Sequence, residues 1–165
     1  MSKRRVASIQ SALLIVAVAV TFVESAVPAR AALGGDITSV QGDQLHMQGS
    51  VRATVTASYT VHQIQSAAGT VVREYVSSSG KSAGKVFGIA WQGPWPPDMR
   101  QLLGSYFDQY VQAANAQSTT RMGRRPVVIE QSGLVVQLGG HPRAFAGRAY
   151  VPEMLPAGVR TEDIQ

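Results

Sequence analysis

One amphipathic segment near the middle of the chain constrains the fold more than any other feature. Between Met99 and Ala114, apolar and aromatic residues recur at spacings of three and four, which places them on one stripe of a helix. The preceding stretch, residues 93–97, contains three prolines, which cannot donate the hydrogen bonds of a sheet, and Asp98 follows as a helix cap. The pattern predicts a helix over residues 98–115 that buries its stripe against another element.

Three segments before this helix and three after it alternate apolar and polar residues, which is the period of a half-buried strand. Turn residues separate the segments, so neighbouring strands pair as antiparallel hairpins. The predicted strands are residues 51–61, 70–76, 85–91, 127–130, 134–138 and 143–151. We therefore predict an α+β fold, with an antiparallel sheet of about five or six strands and one long amphipathic helix packed on one face. Residues 36–48 form either a short helix or an arm, and residues 153–165 form a surface wrap with a short helical turn.

The first 31 residues are typical of an export signal. A cationic start precedes an apolar run over residues 12–23, and Ala29 and Ala31 form the A-x-A pattern that signal peptidase reads before it cuts ahead of Ala32. The run is shorter than the roughly 20 residues of a spanning helix, which favours cleavage over anchoring. We predict a cleaved signal peptide at 1–31, and a single domain at 32–165 with no membrane span. The protein is then exported through the inner membrane, and is periplasmic or secreted. General secretory export is favoured, and twin-arginine export is left open.

Charge and cysteine content exclude several classes of function. The full chain carries 15 basic and 10 acidic residues. The predicted signal peptide contains four of the basic residues and one of the acidic residues, so residues 32–165 have a net charge of +2. So small an excess, with no basic stripe, argues against nucleic-acid binding. The chain contains no Cys, which excludes disulfides, thiolate metal sites and thiol catalysis.

Short matches to catalytic motifs occur in unsuitable places. The G-x-S-x-G pattern at residues 80–84 lies in a predicted turn between antiparallel strands, whereas a nucleophile elbow joins a strand to a helix in a larger fold. The histidines are His46, His62 and His141, and one carboxylate lies close to them in sequence, Asp43, three residues before His46. The other acidic residues are scattered, and their spacing does not indicate a carboxylate pair. We predict no catalytic residue, no metal site and no cofactor.

Two tryptophans are candidates for a ligand-binding surface. Trp91 and Trp95 flank a Gly-Pro pair, and aromatic faces bind apolar and sugar surfaces at small entropic cost. Loops between predicted elements add His141 and Arg143 to this candidate ligand or partner surface. The alternative, and the more frequent role of such tryptophans, is to pack the sheet against the helix.

Several stretches spread over nearly all of residues 32–165 carry a resemblance to a known family. They are residues 32–35, 59–64, 73–76, 86–91 with Gly93 and Pro94, 102–110, 141–152, and finally Leu155, Pro156, Gly158 and Val159. In these stretches the chain resembles a family of exported bacterial proteins catalogued as domain of unknown function 2844. The resemblance implies an exported single-domain protein. It implies no activity, cofactor or catalytic residue.

These observations lead to one main hypothesis on function and two alternatives. The main one is a non-enzymatic binding or accessory protein of the cell envelope, whose partner is an envelope protein or a small ligand. The first alternative is a small envelope hydrolase whose site assembles only in three dimensions, and a pocket that joins a His to a carboxylate or Ser would favour it. The second is a structural envelope protein that self-associates through a strand edge.

Overall fold

The computed structural model describes residues 32–118 and 126–165 of the chain. The predicted signal peptide, with Ala29 and Ala31, lies outside these ranges. In chain order the elements are α1 (Ile37–His46), β1 (Ser50–Val55), β2 (Tyr59–Gln65), β3 (Val71–Ser77), β4 (Val86–Gly93), α2 (Met99–Leu103), α3 (Phe107–Ser118), β5 (Val127–Gln131), β6 (Leu134–His141) and β7 (Ala144–Tyr150). The α+β class predicted from the sequence is confirmed.

The strands form one antiparallel sheet of seven, in the order β1-β2-β3-β4-β7-β6-β5. The chain builds a four-stranded meander, crosses the sheet with α2 and α3, and then builds a three-stranded meander whose last strand pairs with β4. The N-terminal and C-terminal halves therefore meet at the β4–β7 ladder in the middle of the sheet. Both edges, β1 and β5, are the first strands of their meanders.

The predicted count of five or six strands is wrong because residues 51–61 form two strands instead of one. Thr56 makes the turn: its N–H donates to Tyr59 O at 2.9 Å, and its hydroxyl both donates to Tyr59 O and accepts from Tyr59 N. The alternation of β-branched and polar residues continues through this turn, so the sequence carries no Gly or Pro signal for it. Because the register pairs Val55 with Thr60, the turn moves Tyr59 and Val61 to the opposite face from Val55.

The predicted helix over 98–115 begins where expected but is interrupted. A 3-10 turn at Gly104–Tyr106 separates α2 from α3. Gly104 has φ +48°, a left-handed conformation that glycine adopts without the steric cost of a side chain. The apolar stripe still faces the sheet, where Leu102 and Leu103 are buried and Tyr106, Phe107 and Tyr110 pack at its margin.

Each face of the sheet has its own cover. The helices pack on the face that carries Val72, Ile89 and Val136. The segment after β7 crosses the other face, where Ile164 is buried with Tyr75, Phe87 and Tyr150. The predicted surface wrap at 153–165 is thus a structural layer that closes a second apolar cluster.

A short N-terminal strap joins α1 to the rest of the fold. Leu33 N donates to Leu102 O at 3.0 Å, and Gly34 N donates to Val86 O at 2.8 Å. Asp36 then caps α1 by accepting a hydrogen bond from Thr38 N at 2.9 Å, so residues 36–48 contain a helix and are not an arm. These contacts hold α1 over β2 and β3, with Val40 and Asp43 turned inward. Among residues 32–118 and 126–165, no helix combines the length and apolar character needed to cross a bilayer.

Candidate functional site

A small pocket of about 220 Å³ lies beside the C-terminal end of α1. Its walls come from three parts of the chain: the last turn of α1, the turn between β2 and β3, and the proline-rich segment that leads into α2. The polar and aromatic side chains that line it are Asp43, His46, Ser66, Thr70, Trp95, Asp98 and Gln101. Of the charged residues that line the pocket, two are acidic, one is His, and none is Lys or Arg.

Asp98 joins two walls of the pocket. One carboxylate oxygen caps α2 by accepting hydrogen bonds from Arg100 N at 2.9 Å and Gln101 N at 3.2 Å. The other lies 3.4 Å from His46 Nε2, at the end of α1. Both partners are half exposed, so the pair orients α1 relative to α2 and contributes little to stability.

Trp95 stands at the pocket mouth with 59% of its surface exposed. Its backbone is fixed, because Thr70 Oγ1 donates a hydrogen bond to Trp95 O at 2.8 Å. Thr70 N in turn donates to Ser66 Oγ at 3.1 Å, which closes the turn between β2 and β3. Pro94, Pro96 and Pro97 restrict the surrounding backbone. The segment therefore presents a large aromatic side chain to solvent from a restrained backbone.

Beneath the pocket lies a buried pair of carboxyl groups, Asp43 from α1 and Glu74 from the middle of β3. Both residues have 0% exposure. Gln101 Nε2 donates a hydrogen bond to Asp43 Oδ1 at 2.5 Å. Asp43 Oδ2 and both oxygens of Glu74 receive no hydrogen bond from any N–H or hydroxyl group of the described chain. Such orphaned acceptors are costly, so the pair must share a proton or take a donor from outside.

Burial and mutual repulsion raise the pKa of both acids. The pKa of Glu74 is raised to about 9, mainly because the group has lost its solvation. The negative charge of Asp43, and the hydrogen bond that protonated Glu74 donates to Asp43, raise it further. Loss of solvation also raises the pKa of Asp43 to about 6, although hydrogen bonds from Gln101 and Glu74 oppose the rise. Near neutral pH the pair therefore holds about one proton, carried by Glu74 and shared with Asp43.

The predicted ligand-surface residues fall into three different environments. Trp95 lines the pocket, whereas Trp91 is only 3% exposed and packs over Gly147, where a Cβ would overlap its indole. His141 and Arg143 lie at the turn between β6 and β7, and Arg143 lines a second, shallower depression with Phe145. Trp91 therefore has the alternative role described for the tryptophans, which is packing within the core. Trp95 and Arg143 line different depressions, of which the second also includes Pro94, the residue before Trp95. Whether Trp95, His141 or Arg143 binds a ligand stays a prediction.

The predicted cleavage junction enters the described chain only at Ala32. That residue has 0% exposure, immediately before the strap that Leu33 begins. Ala29 and Ala31 lie outside the described ranges, so cleavage itself stays a prediction.

The carboxyl pair was not predicted from the sequence. Its available signal was Glu74 itself, which falls between Val72 and Val76 on the apolar face of a predicted strand, where a charged residue is out of place. Nothing in the sequence indicated that Asp43 would lie opposite it, because the helical period around residues 36–48 is weak. The described residues bring no three His, Asp or Glu side chains together as a group able to hold a metal ion.

Fold and site together define a small α+β protein: a seven-stranded antiparallel sheet with a helix layer, an acidic pocket and a buried carboxyl pair. A family model described as "Protein of unknown function (DUF2844)" matches residues 29–164, and the chain belongs to this family. No curated protein and no solved structure matches the chain.

Proposed function

We propose that this chain is an exported, non-enzymatic binding or accessory protein of the bacterial cell envelope, and that a small ligand binds in the pocket beside Trp95. The observation that carries the proposal is the exposed indole of Trp95, held by Thr70 at the mouth of a pocket with polar walls. Binding sites combine an apolar or aromatic surface with a few fixed polar groups in this way. Export is supported by the features of residues 1–31 alone.

The engagement of the polar side chains favours binding over catalysis. Asp98 already caps α2, and Ser66 Oγ accepts a hydrogen bond from Thr70 N. Within the described chain, no hydrogen bond joins Ser66 to His46, which is the contact that would activate a serine nucleophile. Asp43 and Glu74 have no exposed surface from which to act on a substrate in this conformation.

The W95A variant tests the binding site. The wild-type chain is used to capture partners and small molecules from bacterial envelope extract, and the eluate is analysed by mass spectrometry. We expect W95A to bind the captured ligand about five- to thirtyfold more weakly, because central aromatic residues contribute on the order of 1–2 kcal/mol to binding. The control is V55A, since Val55 is 77% exposed on the edge strand β1, far from the pocket walls. Equal retention by W95A and wild type would place the binding surface elsewhere.

A hydrolase is the second candidate, and one observation favours it. The pocket joins His46 to the carboxylate of Asp98 and has Ser66 in its wall, which is the convergence named above as a sign of catalysis. A screen of ester, amide and glycoside substrates with wild type and H46A tests this candidate. Activity that H46A abolishes would replace the binding proposal, because a merely positional His46 would change only affinity.

Self-association through a strand edge is the third candidate. Strand β1 is an edge strand, and all six of its residues are exposed. Such an edge offers unpaired backbone groups to another strand. A mass in solution that rises with protein concentration would support this role, and a constant monomer mass would exclude it.

A further inference from the structure

The buried acceptors beneath the pocket lack donors, and this observation identifies what the pocket could take. Apart from the proton that the two carboxyl groups share, Asp43 Oδ2, Glu74 Oε1 and Glu74 Oε2 receive no hydrogen bond from the described chain. One shared proton satisfies one contact between the two groups and leaves the others unmet. A group that brings several N–H donors and a positive charge would satisfy them better.

The position of Asp43 connects this pair to the pocket. Asp43 forms part of the pocket wall, while Glu74 lies behind it on β3. Gln101, which also lines the pocket, donates to the other oxygen of Asp43 and so holds that carboxyl group in place. A ligand in the pocket therefore lies nearer to Asp43 than to Glu74, and because both residues have no exposed surface, contact with them requires the side chain of Asp43 to turn toward the pocket.

The remaining walls suit a cation. The side chain of Trp95 is largely exposed at the mouth, and an aromatic face attracts a positive charge. Asp98 adds a carboxylate near the same mouth. None of the lining residues is Lys or Arg, and His46 is the one basic side chain among them, so little positive charge opposes a cation in the pocket.

We propose, on the basis of the binding function above, that the pocket takes a small organic cation whose ammonium group donates hydrogen bonds to Asp43 and Glu74 while its apolar part packs on Trp95. An ammonium group has three donors, which matches the three orphaned oxygens. The volume of about 220 Å³ admits a molecule of a few heavy atoms and is smaller than a drug-sized site.

The proton on the pair and the ammonium group compete for the same oxygens. Binding therefore releases the shared proton to solvent, and affinity rises with pH by up to about tenfold per pH unit while the ligand stays charged. Around the pair, Ile89 of β4 is apolar. The polar and titratable groups that face the two carboxyls are His46 from α1, His62 from β2, Asp98 before α2, and Gln101 from α2. Burial lowers the pKa of His62, which favours its neutral form.

The test uses benzylamine as the probe and benzyl alcohol as its neutral match, titrated into the full chain between pH 6 and pH 8. Binding is measured by calorimetry in two buffers of different ionisation enthalpy, which reports protons released. Ammonium chloride forms a third arm that separates an organic cation from a simple ion. The variants are E74Q and D43N, with E153Q as the control because Glu153 is an exposed acid remote from the pocket.

We expect benzylamine to bind at least tenfold more tightly than benzyl alcohol, with proton release, and to lose at least tenfold in affinity in E74Q and D43N but not in E153Q. Equal binding of the amine and the alcohol would overturn the cation assignment and leave the pocket proposal standing. Ammonium chloride binding as well as benzylamine would assign an inorganic ion and overturn the organic ligand. No binding of any probe would overturn this inference, while capture by wild type and loss in W95A would still support the proposed function. If E74Q does not fold, the affinity of D43N and the proton release by wild type test the inference.

Discussion

The E74Q variant is expected to stay nearly as stable at pH 9 as at pH 5, whereas the wild-type chain becomes less stable over the same range. Glutamine has nearly the shape of Glu74, cannot ionise, and carries an N–H group that can donate to Asp43 Oδ2. The variant therefore keeps the contact and removes the titration. Its melting temperature should exceed that of wild type at pH 8 and be close to it at pH 5.

The direction of the pH effect follows from the two raised pKa values. The pKa of Glu74 is raised from 4.5 to about 9 and that of Asp43 from 3.8 to about 6, so the folded chain keeps protons that the unfolded chain has already released. The contribution of this pair to stability is therefore greatest below about pH 4 and falls as pH rises through the window to about 9. The slope approaches ~1.4 kcal/mol per pH unit where one proton separates the two states.

The measurement is thermal unfolding at one-unit pH intervals for wild type, E74Q and E153Q. Glu153 is exposed, so E153Q controls for the loss of one negative charge from the chain. Parallel curves for wild type and E74Q would show that the carboxyl pair does not hold its proton, and would remove the basis for the proton release expected when a cation binds.

Deletion of residues 161–165 is expected to unfold the chain or leave it without fixed tertiary packing. Ile164 has 0% exposure and fills the space above Gly88, where a Cβ would lie 2.8 Å from Ile164 Cδ1. Tyr75 Oη donates to Gln165 O at 2.8 Å and accepts from Gln165 N at 3.0 Å. Arg148 Nη1 donates to Thr161 O at 2.6 Å. Removing the segment exposes an apolar cluster, takes away the hydrogen-bond partners of the buried Tyr75, and takes away one partner of the half-buried Arg148.

The expected loss from deletion exceeds ~5 kcal/mol, which is comparable to the whole stability of a domain of this size. The I164A variant isolates the packing part, with an expected cost of about 2–5 kcal/mol. Chemical unfolding measures both, and V55A serves as a control with an expected change below about 0.5 kcal/mol because Val55 is 77% exposed. A deletion variant that melts cooperatively within about 3 °C of wild type would show that the tail is not part of the core.

The main elements of the fold were predictable because their sequence periods are strong. The stripe from Met99 onward predicted a helix, and five of the six alternating segments each became one strand. The error at residues 51–61 has a local cause, since Thr56 makes its turn through side-chain hydrogen bonds that an alternating sequence does not announce. The break at Gly104 belongs to the same class, because a single glycine in a helical pattern is usually tolerated.

The candidate site was much less predictable than the fold. Trp91 and Trp95 were both predicted to form a ligand surface; Trp95 lines the pocket, whereas Trp91 packs inside the sheet-helix layer. Sequence spacing does not distinguish these two environments, because both residues are aromatic and flank the same turn. Asp43 and Glu74 are 31 positions apart, and only the docking of α1 across β3 brings their carboxyl groups together.

By itself, the sequence determined the local elements, the α+β class and the features of an export signal, because these depend on residue periodicity and composition over short ranges. Only the tertiary structure decided which side chains are buried from solvent. Burial of Glu74 against Asp43, and of Ile164 against Gly88, depends on packing between residues that are distant in the chain. The cost of burying a carboxyl group without a donor arises from that packing, and it turns two ordinary acids into the most distinctive chemical feature of this protein.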